Sequence, residues 1–296
     1  MAETAQAEHE LGLRHWLGFA LLCATWSTTW MAIRVLVREV PPFRAAALRF
    51  AIAAAVLLVV AVVRKSRWPQ SADEWRTVVV LGVTMMTIPF GTVFWAEQYI
   101  TSGMTAVLSA TTPLAIALLT PVMLHQKVPR RAVIALVVGF AGIAVLFWSG
   151  VGFEGRALVG GVMVLVSAFA TAWSANYAKR HAQGISPVVN TGVQLALGTV
   201  LLGALSLMVE RGQPSHWSGK AVGALFFLAV MGSSVAFAVY YWLLKRMRPY
   251  QAGSTAFLVP IGAMVEGAVL LGEPVTAVMV VATLVVVGAV AAVLRS

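Results

Sequence analysis

The chain repeats itself at a fixed offset of 147 residues: Trp26-Ser27 recurs as Trp173-Ser174, Phe90 as Phe237, Trp95 as Trp242 and Pro113 as Pro260. Softer matches keep the same offset, pairing Trp30 with Tyr177, Phe94 with Tyr241 and Thr87 with Ser234. Leucines and valines coincide by chance in an apolar chain. Tryptophans and prolines are scarce enough that their agreement marks an internal repeat. Whatever the fold, it is built from two copies of one unit.

Composition identifies the unit. The chain is 60% hydrophobic and 11% charged, with a mean hydropathy of +0.87, which suits lipid and not water. Apolar runs of about 20 residues cover the hydrocarbon core as helices. Ten such runs are present, at roughly 16–37, 43–63, 76–97, 103–124, 131–148, 157–178, 187–208, 220–244, 251–271 and 276–294. The expected fold is an all-α integral membrane protein with ten transmembrane helices. It divides into a tail (1–15), a first five-helix repeat (16–148), a short linker holding Ser149-Gly150-Val151-Gly152 (149–156) and a second repeat (157–296).

The net charge of +10 follows membrane topology. With the N-terminus inside, fourteen of the 21 Lys and Arg fall on inner segments and six on outer ones, and Arg49 lies within a span. That bias places both termini in the cytoplasm and argues against a nucleic-acid surface. Five helices per repeat is an odd number, so the repeats must be inverted relative to each other. Inverted repeats are characteristic of secondary transporters, whose halves exchange roles between inward-open and outward-open states.

The first run, preceded by an acidic tail, is too long for the apolar region of a signal peptide. The lone Cys23 excludes an internal disulfide or a cysteine metal cluster. The five histidines fall in the tail, loops or helix ends. No metal, cofactor or mid-membrane histidine relay is therefore expected.

Residues three and four apart share a helix face. Such a face in predicted helix 1 presents Trp26, Thr29 and Trp30, and its counterpart in helix 6 presents Trp173, Asn176 and Tyr177. Helices 3 and 8 present Thr87, Phe90 and Phe94 against Ser234, Phe237 and Tyr241. An interfacial belt accounts for tryptophans near helix ends, but Trp26, Trp30 and Trp173 sit deeper. They suit a central cleft, where an apolar ring with a polar edge is useful. Helices 1 and 6 should face each other across that cleft, with helices 3, 4, 8 and 9 as walls. Helices 5 and 10, with Thr283 almost their only polar side chain, should lie outside it.

Pro113 and Pro260 fall near the centres of helices 4 and 9. Proline removes an intrahelical hydrogen bond, and paired interruptions point to a mid-membrane site, so both are candidate hinges. Arg49 and Glu266 are charges inside spans, at similar distance from the outer ends of their helices. Such charges are costly and tend to pair or to serve ion pathways, so the two are candidate coupling or gating residues and are expected to form an ion pair. Glu97, at the outer mouth, is less telling.

The stretch from Trp95 through Ala96-Glu97-Gln98-Tyr99 to Thr112-Pro113-Leu114 resembles the helix 3–4 signature of EamA-type transporters in the drug/metabolite transporter superfamily. Pro260, Glu266 and Leu271-Gly272-Glu273-Pro274 resemble the counterpart in the second repeat. The likeness covers about residues 16–294 and departs from the pattern at His125-Gln126, where the second repeat has Gly272-Glu273. It implies a multi-pass inner-membrane exporter of small metabolites, such as amino acids or toxic organic compounds, and the Ala- and Val-rich composition of the chain suits a bacterial origin. Export of aromatic amino acids, as in the YddG type, fits the aromatic faces. Helix 1 lacks the acidic residue that small multidrug-resistance relatives use. Proton coupling through Glu266 and uncoupled diffusion both fit, and the oligomeric state is open.

Other functions explain less. A nucleotide-sugar or organophosphate exchanger of the same fold needs several cationic partners for phosphate, and only Arg49 lies within the membrane. An intramembrane enzyme needs a catalytic constellation, and none is evident. A channel needs rings of like residues, and a structural membrane protein needs no paired prolines. The expected partners are a small-molecule substrate and the lipid bilayer, and the protein is not expected to be an enzyme.

Overall fold

The computed structural model describes residues 13–125, 129–148, 155–182, 184–236, 239–240, 243 and 255–294, and the regular structure in them is helical. The first half holds α1 (Leu13–Val37), α2 (Pro42–Val63), α3 (Ala72–Ala96), α4 (Ser102–Leu124) and α5 (Arg130–Trp148). The second holds α6 (Arg156–His181), α7 (Pro187–Val209), α8 (Gly219–Val235), α9 (Thr255–Leu271) and α10 (Ala277–Leu294). Among the described residues, six helices (α1–α4, α6 and α7) are each long and apolar enough to cross a bilayer, at 22 to 26 residues. The others carry shorter apolar stretches of 10–17 described residues.

Local signals set several starts. Ser71, Thr101 and Ser218 cap α3, α4 and α8 by accepting the backbone N–H of Glu74, Met104 and Ala221. Prolines open α2 and α7, where a missing N–H costs nothing.

Two helices widen in the middle. α3 winds as a π-helix over Gly82–Thr87, and α8 does so over Phe227–Val235. Hydroxyls hold the wide turns: Thr87 donates to the Gly82 carbonyl at 2.9 Å, and Ser234 to the Ala229 carbonyl at 3.4 Å. Both bonds reach five residues back, and the 147-residue offset carries one onto the other. α4 is also irregular. It stops at Ser109 and restarts at Thr112, with Pro113 in the first turn of the new segment and Pro121 further along. Pro113 therefore follows a break and does not kink a continuous helix. Pro260 lies inside α9.

The packing has a symmetry of its own. α2 lies on α7 and α5 on α10. α1 packs on α8 and α9, while α6 packs on α3 and α4. Exchanging each helix for the one five places along returns the same pairs. Lipid tails are as apolar as leucine, so helices in a bilayer associate through close packing of small residues. The α2–α7 contact follows that rule: Ala46, Ala53 and Ala54 are buried on α2, and Gly198 of α7 lies so close to Phe50 that a Cβ would come within 2.8 Å of its ring. The outward sides carry Val62, Val122, Ile134, Val137, Leu207, Val269 and Leu284, an apolar surface suited to lipid. α5 and α10 contribute to that surface while packing on each other, at the edge of the bundle as expected.

One end of the bundle is stitched by carboxylates. Glu210, after α7, accepts the N–H groups of Phe43 and Arg44 at the start of α2, at 2.8 and 3.0 Å. Glu39 accepts the N–H and hydroxyl of Ser218 before α8. Glu273, after α9, accepts the N–H and hydroxyl of Ser102 at 3.1 and 2.7 Å at the start of α4. Each anion meets the positive end of a helix dipole and otherwise unpaired donors.

Candidate substrate site

α1 threads between α8 and α9 and brings the polar-aromatic face of the first repeat into the core. Ser27 donates to the Val259 carbonyl of α9 at 3.2 Å, one residue before Pro260. Gly262, one turn along α9, has no room for a Cβ because the Ser27 hydroxyl occupies that space. Trp26 is half-buried, its ring 5.5 Å from that of Tyr240. The Thr29 hydroxyl bonds the Trp26 carbonyl at 2.6 Å, and its methyl faces Gly232 of α8. Trp30 packs into the apolar cluster of Phe50, Phe90 and Phe94, and its indole N–H is enclosed with no hydrogen-bond partner.

Arg49 enters this cluster from α2 and is 4% exposed. Its guanidinium lies 5.1 Å from the centre of the Phe90 ring and 5.9 Å from that of Phe94. Nε and Nη2 reach the Ser233 hydroxyl on the wide turn of α8 at 3.4 and 3.3 Å, and Nη1 has no partner. Removing a charge from water costs several kcal/mol unless a counter-ion repays it. Cation–π contact with a phenyl ring returns only about 0.5–2 kcal/mol.

The expected ion pair between Arg49 and Glu266 does not form. Among the described residues the ion pairs are Arg34–Glu273 and Arg67–Glu74. Glu266 instead faces the Thr28 hydroxyl of α1, and one of its carboxylate oxygens has no hydrogen-bond partner. The two charges project from α2 and α9 toward different neighbours.

The second-repeat residues are arranged differently. Trp173 stacks on Tyr177 at 4.9 Å and 14°, and Tyr177 on His181 at 4.4 Å and 28°. Asn176 is buried and ties α6 to α4: its Oδ1 accepts from Thr120 at 3.1 Å, and its Nδ2 donates to the Ile116 and Ala172 carbonyls. The neighbouring Ser174 meets Thr84 of α3 at 2.8 Å. Phe237 and Tyr241, the remaining members of the expected site, lie outside the described residues. The structure thus brings Thr29, Trp30, Phe90, Phe94 and Arg49 into one region of the core, with Ser233 beside Arg49, and it makes Asn176 a brace between helices.

A second polar group, which sequence reasoning passed over, lies at the stitched end. Arg34 of α1 contacts the Glu97 carbonyl and stands 3.9 Å from Glu273. The Glu97 carboxylate is wholly enclosed, with neither oxygen hydrogen-bonded. Glu97 directly follows α3. Burial pushes its carboxyl well above the ordinary value of 4.5, Arg34 opposes that shift, and Glu273 adds to it. Beside this group, Tyr99, Thr101, Met104, Pro274 and Met279 line a cavity of about 130 Å³.

Residues 14–148 and 158–295 each match the model of the EamA-like transporter family. The chain is 24% identical over 261 residues to the uncharacterized transporter YoaV of Bacillus subtilis (strain 168), covering 88% of this chain and 89% of the relative. It is 29% identical over 251 residues to the uncharacterized inner membrane transporter YedA of Escherichia coli (strain K12), covering 84% and 80% respectively. A solved crystal structure aligns with 97% of this chain and 98% of its own at a TM-score of 0.66 and 20% identity, so the two share a fold. Two matched halves span nearly the whole chain, and the relatives are transporters rather than enzymes. This protein therefore belongs to the EamA-like transporter family of multi-pass membrane proteins.

Proposed function

We propose that the protein exports small organic metabolites across a bacterial inner membrane, foremost amino acids with aromatic or apolar side chains. It does so by alternating access between two inverted five-helix repeats, 16–148 and 157–296. The full chain makes ten crossings, with both termini in the cytoplasm. The observation that carries this reading is the packing symmetry. A bundle whose main helix pairs map onto themselves when the halves are exchanged is suited to two related arrangements, one open to each side. The break before Pro113 and the proline at Pro260 lie in corresponding helices and act as hinges.

The substrate meets the aromatic faces of α1, α3 and α6 at Trp26, Thr29, Trp30, Phe90, Phe94, Trp173 and Tyr177, and the sequence repeat alone adds Phe237 and Tyr241 to the set. Rings with a few polar groups favour zwitterions or neutral molecules with an apolar body over multiply charged anions. Proton-coupled and uncoupled export both follow from this arrangement, with Glu266 the coupling carboxylate in the first case.

Proteoliposome uptake of labelled phenylalanine, with and without a pH gradient, tests the reading against uptake of a sugar phosphate. Phenylalanine should enter and the sugar phosphate should not. Trp26→Ala and Trp173→Ala should each lower phenylalanine transport about tenfold or more, the scale of a lost aromatic contact, while insertion stays normal. Equal transport of both solutes, or full activity in both variants, would remove the site.

A further inference from the structure

The Arg49 cluster is short of acceptors. Arg49 Nη1 and Trp30 Nε1 are both enclosed donors with no partner, and the Ser233 hydroxyl is shared between the other two guanidinium contacts. Ser233 already donates its own proton to the Leu228 carbonyl. No described carboxylate pairs with Arg49, and the stretch from Phe237 to Ser254 contains neither Asp nor Glu. Gly232 lets α8 approach this closely: a Cβ there would meet the Thr29 methyl at 2.7 Å and Arg49 Nη2 at 3.7 Å. The result is a buried cation and an enclosed indole N–H in a cluster with Phe90 and Phe94, with no anion among the described residues to balance the charge.

We propose that Arg49 is the anchor for a substrate carboxylate. One carboxylate oxygen binds the free edge of the guanidinium at Nη1, the Trp30 N–H supplies a further donor, and the apolar body lies among Phe90, Phe94 and the Trp30 ring. A single guanidinium balances one negative charge, so the site takes organic monocarboxylates, including α-amino acids through their carboxyl end, and discriminates against their amides. This deepens the export reading and rests on it for the identity of the cargo.

The test uses the full chain in detergent, with 3-phenylpropionate and its amide as probes. Thermal midpoint and tryptophan fluorescence report binding. The acid should raise the midpoint of the parent in a concentration-dependent way, and the amide should bind at least tenfold more weakly. Arg49→Gln should lose about tenfold or more in affinity for the acid and little for the amide, with Arg49→Lys between them. If Arg49→Gln does not fold, the acid-over-amide preference of the parent and a weaker acid affinity in Trp30→Phe decide the question. Equal binding of acid and amide, no binding of the acid, or unchanged acid affinity in Arg49→Gln would overturn the proposal. Acid binding without uptake in proteoliposomes leaves the anchor standing and refutes export. Uptake of phenylalanine that is indifferent to Arg49→Gln does the reverse.

Discussion

Glu97 sits one residue beyond α3 with both carboxylate oxygens enclosed and unbonded. Its folded-state proton affinity is raised by burial, relieved in part by Arg34 and increased again by Glu273. A carboxyl shifted upward contributes fully to stability below its unfolded value of about 4.5. That contribution is lost as the pH climbs through the higher folded value. The parent's thermal midpoint should therefore fall between pH 5 and pH 8 by a few degrees more than that of Glu97→Gln, which keeps the shape of the neutral acid. Parallel midpoints in the two proteins would show that Glu97 is solvated and titrates normally. Glu273 is a contrasting case: its oxygens accept hydrogen bonds from the N–H and hydroxyl of Ser102, whereas those of Glu97 accept none.

At the scale of helices, the α2–α7 contact depends on glycine. A side chain at Gly198 would strike Phe50, which is fully buried and has nowhere to go. Gly198→Leu should cost about 1–3 kcal/mol from overpacking, visible as a lowered thermal midpoint. Gly223→Leu on α8, where a Cβ meets nothing within 4 Å, should be neutral or slightly stabilising because leucine is the better helix former. A Gly198→Leu variant as stable as the parent would contradict the packing described. The apolar runs made these helices legible in the sequence, because length and hydropathy alone decide whether a segment suits a bilayer. The break before Pro113 was partly legible, since proline announces a disturbance but not its form. The wide turns were not: Thr87 and Ser234 stood out only as a soft match, and a hydroxyl that bonds five residues back looks in sequence like any helical threonine or serine. Within the site, the shared face of Trp26, Thr29 and Trp30 could be read from spacing. The partner of Arg49 could not, because Ser233 lies 184 residues away and depth says nothing about direction. Glu97 was undervalued for the same reason: its burial and its backbone contact with Arg34, 63 positions upstream, come from tertiary packing.

For the whole molecule, the charge bias predicts an orientation that labelling can check. With Cys23 replaced, itself buried, a single cysteine at exposed Lys220 should react with a membrane-impermeant maleimide in intact cells, and one at exposed Arg131 only after permeabilisation. The opposite pattern would reverse the topology. In the predicted orientation the stitched end faces outward, and the three stitching carboxylates Glu39, Glu210 and Glu273 have Ser186, Val63 and Gln126 at the equivalent positions of the other repeat. A symmetric fold thus carries an asymmetric set of fasteners, all at one end. The wide turns of α3 and α8, by contrast, occur in both halves. A π turn holds one more residue than an α turn of the same helix. Loss of a single residue there would restore ordinary winding and leave both flanking faces aimed as before, whereas the same loss within α1 or α6 would swing every later side chain by about 100°. Each repeat therefore carries its slack for length changes in the same place, in the helix that supplies Phe90 to one half and Ser233 to the other.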